Sequence, residues 1–181
     1  MTTPLTVIQF WRDEVGFARW FAVEPSLDAE IRRRFEPLWQ TALCGAIDDW
    51  QKTPEGALAL IIVLDQFPRN MFRGHADSFA TDAKARAAAD QAIASGFDMT
   101  LPVLLRPFVY MPLMHSEQLA DQDRCIALFE QRIGPDTYNL PFARNHRAEI
   151  AQFGRFPARN AALKRVSTDA ETAYLKSRAN H

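Results

Sequence analysis

Apolar residues recur along this chain with the period of a helix and nowhere with the period of a strand. A helix face repeats about every 3.6 residues, whereas a strand face alternates every second residue. Val7, Phe10 and Trp11 share one helical face after Thr3-Pro4, a pair suited to cap and open a helix. Ile31, Phe35, Leu38, Trp39 and Ala42 share a second face, opened by Ser26 or Asp28 and closed by Gly45. Thr53-Pro54-Glu55 starts a third helix whose body, Ala57 to Phe67, is apolar all round. A helix without a polar face belongs at the centre of a fold. Pro68 must break or restart it, because proline lacks the N–H that the ladder needs.

Further along, Asp77 to Ser95 reads as an alanine-rich helix ended by Gly96. Pro102, Pro107 and Pro112 kink or split the stretch from Thr100 to Glu117. Gln118 to Ile133 is amphipathic and is stopped by Gly134-Pro135; Pro141 to Phe153 follows and ends near Gly154. The capping box Thr168-Asp169-Ala170-Glu171 opens a last helix, with residues 176–181 expected to fray. These elements predict an all-α chain of about eight or nine helices, joined by short turns into antiparallel hairpins. One domain is expected over residues 1–181.

Composition narrows the functional classes. A net charge of −1 and a pI near 6.4 supply no field that would draw nucleic acid or an anionic membrane. The longest apolar run, Ala57 to Leu64, is far shorter than the roughly 20 residues that cross a bilayer. The first ten residues lack a signal-peptide pattern, so a cytoplasmic location is expected. Cys44 and Cys125 lie within helical apolar patterns and read as reduced core residues rather than a disulfide.

Three polar segments exceed what helix packing requires: Asp65 to Gly74, Arg106 to Gln118, and Phe153 to Asn160. The first and third echo each other, Phe67-Pro68-Arg69-Asn70 against Phe156-Pro157-Ala158-Arg159-Asn160. In both, arginine falls in the opening turn of an expected helix, where the partial positive charge disfavours it. A negative group should therefore be near. One candidate is internal, with Asp65, Asp82 and Glu117 bracing arginines across helix junctions. The other is external, with exposed N–H groups and guanidiniums forming a seat for a phosphate or carboxylate. The residues that would line such a seat are Asp65, Gln66, Arg69, Asn70, Arg73, Arg106, Tyr110, Arg155, Arg159 and Asn160. Convergence of these guanidiniums on one hollow, with at least one lacking a carboxylate partner, would favour the external reading.

His115, Glu117 and His146 are the candidates for acid–base chemistry, either histidine as general acid or base with Glu117 orienting it, and His146 lies three residues before Glu149 on one helical face. No zinc-protease, phosphate-loop or dinucleotide motif accompanies them, so neither metal nor cofactor is expected. Phe108, Tyr110, Met111 and Met114 form an apolar cluster that reads as core; exposed, it would instead suit a partner helix. Trp11, Trp20, Trp39 and Trp50 read as packing anchors, with Trp20-Phe21 a candidate for the wall of a cleft. The leading expectation is a small-molecule-binding protein or enzyme with an arginine-rich pocket for an anionic ligand. The alternative is a helical scaffold for a peptide or protein partner, in which the polar segments are structural.

Leu64-Asp65-Gln66-Phe67-Pro68-Arg69-Asn70, Tyr110-Met111-Pro112-Leu113-Met114-His115-Ser116-Glu117 and Phe153-Gly154-Arg155-Phe156-Pro157 together resemble a largely bacterial family known as domain of unknown function nine-two-four. The resemblance runs from about Val7 to Leu175. It implies helix hairpins in a tetratricopeptide-like (TPR-like) right-handed array and brings no established activity. The family pattern usually has His where this chain has Ala158 and Gly where it has Lys164. A lysine does not readily take a left-handed backbone, so a different turn is expected near 164.

Overall fold

Thr3 accepts a hydrogen bond from the Thr6 amide and opens α1 (Pro4–Gln9), as its sequence suggests. The computed structural model describes residues 2–179. Helix α1 widens into a π-helical segment, Phe10–Val15. Then come α2 (Pro25–Leu43), α3 (Pro54–Ile61), a second π-helical segment (Ile62–Gln66) and α4 (Phe67–Met71), the last three forming one rod. The remainder comprises α5 (Asp82–Ala94), α6 (Phe97–Thr100), α7 (Pro107–Met114), α8 (Leu119–Arg132), α9 (Leu140–Phe153) and α10 (Asp169–Ala179). That makes nine helical rods and no strand among the described residues. Helix α10 runs on through Lys176 to Ala179, positions expected to fray; Asn180 and His181 lie outside the described residues.

The all-apolar helix is central, as its pattern requires. Every residue from Gly56 to Pro68 is buried, and α1, α5, α6 and α7 all pack on α3. An aromatic seam joins the first half of the chain to α7. Phe35 meets Phe67 at 4.7 Å between ring centres, Trp11 meets Phe67 at 5.8 Å, and Trp20 meets Phe108 edge-on at 4.8 Å. Trp20 also donates its indole N–H to the Trp11 carbonyl at 2.6 Å, which fastens the loop after the first π segment.

Pro68 does not restart the helix. The rod passes through it, because a side chain from elsewhere replaces the missing donor. In a regular helix the residue-68 N–H would bond the carbonyl of Leu64. Instead the Thr81 hydroxyl donates to that carbonyl at 2.5 Å, and Trp39 donates in turn to the Thr81 oxygen at 3.1 Å. The demand on Thr81 also shapes the chain on either side of it. The expected helix Asp77–Ser95 is interrupted: a 3-10 turn spans Ala76–Phe79 and α5 begins only at Asp82. Asp82 thereby sits in a first helical turn, where the macrodipole favours an acid.

Two expectations are corrected. Cys125 is buried in the core, but Cys44 caps α2 at its C-terminal end and is exposed. Lys164 does adopt a left-handed conformation, with φ of +55°. It terminates a helical turn in which the Arg165 amide bonds the Asn160 carbonyl at 2.8 Å, a closure that demands a left-handed residue between them. Among the described residues no helix is long and apolar enough to cross a membrane.

Candidate functional site

Asp65 is wholly buried at the polar end of the central rod, inside its π-helical segment. A buried carboxylate must be compensated. Its oxygens take the His115 Nδ1 at 2.9 and 3.0 Å, the Gln66 amide at 2.7 Å and an Arg69 guanidinium nitrogen at 3.1 Å. Arg69 also donates to the Asp65 carbonyl at 2.7 Å and reaches Asp82 at 2.9 and 3.1 Å. Arg159 arrives at the same Asp82 from the other side, at 3.2 Å, and donates to the His115 carbonyl at 2.8 Å. Its guanidinium is flanked by the rings of Phe79 and Phe156 at 4.7 and 4.4 Å. The two echoed Phe-Pro segments thus deliver their arginines to one aspartate. The negative charge they need is internal.

The expected helix N-termini are not there to add N–H donors. Pro68 lies inside a continuous rod, and Pro157 opens only the single 3-10 turn Pro157–Arg159. Charge in the network balances: Asp65 and Asp82 against Arg69 and Arg159. Burial would raise the Asp65 pKa, but Arg69 and His115, with hydrogen bonds from His115 and Gln66, together hold it well below the usual range. For His115, burial and then Arg69 push the imidazole proton off more strongly than Asp65 pulls it on, so the ring is held neutral at pH 7. Burial and the neighbouring His115 depress His146 to about 4. Burial and Arg69 bring Arg159 down to about 10, and it stays a cation at neutral pH.

This network forms one wall of a cavity of about 930 Å³. Gln66, Arg69, Asn70, Arg73, His115, Asn139 and His146 supply its polar lining, and Arg178 of α10 reaches it from the rim. Trp20, Phe21, Met111, Met114 and Phe142 supply the apolar side, so Trp20-Phe21 does face a cleft. Ala158 lies on this wall too. The two imidazoles stand 6.4 Å apart between ring centres. The Nδ1 of His146 is 3.3 Å from the Met114 carbonyl, and that of His115 faces Asp65. With both Nδ1 atoms engaged, Nε2 is the nitrogen each ring leaves for a ligand, and none of the described residues bonds to it. Arg73 pairs through two nitrogens with Asp28, each at 2.9 Å, and Asp28 also accepts from Asn70 at 2.8 Å.

Several expected site residues lie elsewhere. Arg106 is folded beneath the chain, donating to the carbonyls of Arg132 at 2.5 Å, Leu101 at 3.2 Å and Met99 at 3.4 Å. Tyr110 is buried and donates to Asp98 at 2.5 Å, which Arg132 also holds at 2.7 Å. Arg155 grips Glu171 at 2.6 and 2.8 Å, and Asn160 bonds Ser167 and Glu171. Glu117 accepts from Arg165 at 2.8 and 3.0 Å and from the Phe156 amide at 2.9 Å, so it orients no histidine. Arg106, Tyr110, Arg155, Asn160 and Glu117 therefore tie helices together and do not line the cavity. Every arginine lining the cavity has a carboxylate partner, so the unpaired guanidinium expected of an anion seat is not found there among the described residues; Arg106, bonded only to carbonyls, lies outside it. Sequence reading missed Asp28, whose position suggested only a helix start, and Arg178 and Asn139, which carry no local signal.

Phe108, Tyr110, Met111 and Met114 are core, each no more than 5% exposed, and Met111 and Met114 face the cavity from there. Among the described residues no group of three or more His, Cys, Asp or Glu side chains is placed to hold a metal ion.

A solved structure of a protein of unknown function from Agrobacterium tumefaciens is 38% identical to this chain. It covers 96% of this chain and 97% of its own, with a TM-score of 0.90. No curated protein matches the sequence. The family model described as bacterial protein of unknown function (DUF924) matches residues 7–179, and the chain belongs to that family.

Proposed function

We propose that the cavity binds a small organic molecule and that His115 acts on it as a general base, with Asp65 as its orienting partner. One observation carries this reading: an imidazole whose Nδ1 is held by a wholly buried carboxylate while Nε2 is left for the contents of a cavity. That arrangement fixes the tautomer and ring orientation, and it stabilises the imidazolium formed when Nε2 takes a proton. Among the described residues no serine, threonine or cysteine lines the cavity, which supports proton abstraction from the ligand or a water rather than covalent catalysis by an aliphatic hydroxyl or a thiol. The cations best placed to meet an anionic head group are the rim residues Arg73 and Arg178, whose side chains are 42% and 60% exposed. Arg69 is tied to two aspartates and serves the network instead.

Thermal-shift measurement of wild type and His115→Gln against small carboxylates, carboxamides and hydroxy acids tests the reading. Ligands should raise the melting temperature of the wild type and do so much less for His115→Gln. For a ligand that binds, wild type should exchange its acidic C–H for deuterium from D2O, and the variant should lose at least about 100-fold of that rate. Ligands that stabilise both proteins equally and exchange equally would rule out a role for His115.

A further inference from the structure

A second hollow, of about 200 Å³, adjoins the first and shares Trp20, Phe21, Tyr138 and Asn139 with it. Its remaining walls are Phe17, Val103, Leu104, Pro107, Phe108, Ile133 and Thr137. Phe17, Phe21, Val103, Leu104 and Tyr138 are each 44–54% exposed, which gathers large apolar side chains at one place on the surface. Such gathering on a globular protein marks a binding surface more often than chance exposure does.

The chemistry of the hollow selects its occupant. Among the described residues no carboxylate, cation or imidazole lines it, and Thr137, Asn139 and the Tyr138 hydroxyl are its polar groups. The aromatic rings lean on one another, with Phe17–Tyr138 at 5.4 Å and Phe21–Tyr138 stacked at 5.8 Å. Rings packed this closely do not surround a cation, which would need faces splayed about a central charge. The fitting guest is neutral and apolar. Adjacency to the first cavity identifies the rest of that guest, because the four shared residues set the hollow directly beside the space that holds His115 and Arg73.

We infer that the ligand is an acyl compound, with a carboxylate or carboxamide head beside His115 and an apolar chain or ring extending into the hollow lined by Phe17, Val103 and Leu104. This rests on the His115 cavity being a binding site, and it adds the class of molecule bound there. The polar end supplies hydrogen-bonding groups from Gln66, Asn70 and the rim arginines, whereas the hollow's lining is mostly apolar, with Thr137, Tyr138 and Asn139 its few polar side chains. A molecule polar throughout would leave its far end unpaired against the aromatic wall.

Binding of straight-chain monocarboxylates and the matching primary amides, from acetate and acetamide to decanoate and decanamide, tests the inference by calorimetry on the full chain. In one or both series, affinity should rise about fourfold per methylene once the chain enters the hollow, then level off when it is filled. Val103→Trp, a change at a half-exposed position, fills the hollow and should flatten that gradient. Chain-dependent shifts should appear in the ring signals of His115 and His146 by NMR. Short members that bind with no gain from lengthening would overturn the inference while leaving the His115 cavity intact as a site. A gradient that survives Val103→Trp, or long chains that bind without moving either histidine signal, would overturn it differently, by separating hollow from cavity. Absence of binding by every member of both series would also reject an acyl ligand.

Discussion

Two polar networks in this protein are each built on two carboxylates and two arginines and end in different states. Around Asp65, two aspartates, two arginines and an imidazole meet, and a ring nitrogen of that imidazole is left over at a cavity wall. Around Glu117 and Glu171, Arg155, Arg165 and Asn160 meet, and their bonds run to one another or to backbone atoms such as the Phe156 carbonyl. Both networks contain a Phe-Pro echo segment or touch one, and both lie at helix junctions. The difference between a brace and a candidate site is not composition, nor how strongly a group is perturbed: Glu171 is held down to about 2 by Arg155, and it orders the turn before α10. What differs is whether a group capable of chemistry keeps a free valence facing a space large enough for a ligand.

The sharpest way to break this comparison is to remove one acid from each network. Asp65→Ala leaves Arg69 short of a partner in the interior and should cost about 3–5 kcal/mol in urea unfolding. Glu117→Ala leaves Arg165 with the Asn160 and Phe156 oxygens, and it should cost about 1–3 kcal/mol. Equal losses would mean that the two networks bear the same load.

Next in size is a pH effect confined to the open network. His146 has its folded pKa lowered to about 4, so between that value and about 6.5 the unfolded chain binds a proton that the folded protein does not. Stability should therefore fall as pH drops through this window, by about 2–3 kcal/mol, and stop falling on this account below pH 4. Asp65, held low when folded, adds loss only below its unfolded value near pH 4. His146→Gln should reduce the slope in the upper window, leaving the part that the also-depressed His115 contributes, and should not change the lower; an unchanged slope between pH 6.5 and 4 would show that His146 is not kept neutral.

The smallest effect belongs to the closed network. Lys164 holds a left-handed turn that sets Arg165 against Glu117. Lys164→Gly should relieve that backbone strain and raise stability by up to about 1 kcal/mol in denaturant melts. A loss instead would show that the lysine side chain supports the turn.

Much of the helical layout could be read from the chain because its signals are local. Thr3, Thr53 and Thr168 cap helices where their neighbours suggested, and the featureless apolar run from Ala57 lies at the centre. Pro68 shows where local reading stopped. Its broken ladder is completed by Thr81, thirteen residues on and in another element, so a predicted helix restart became a continuous rod. The arginines were legible as residues needing negative partners, and Asp82 was among the candidates. Which carboxylate each would find was not legible, because Arg73 meets Asp28 across 45 residues and Arg159 meets Asp82 across 77.

By itself, then, the sequence determined an all-helical chain, its central helix, most of its caps and a short roster of polar residues that needed explanation. Only the tertiary structure decided which of them brace and which face a cavity, and that the carboxylate partnering His115 is Asp65, not Glu117. The reason is physical: helix period and capping depend on neighbours within a turn. Charge compensation and free valence depend on which distant segments packing brings within hydrogen-bond reach.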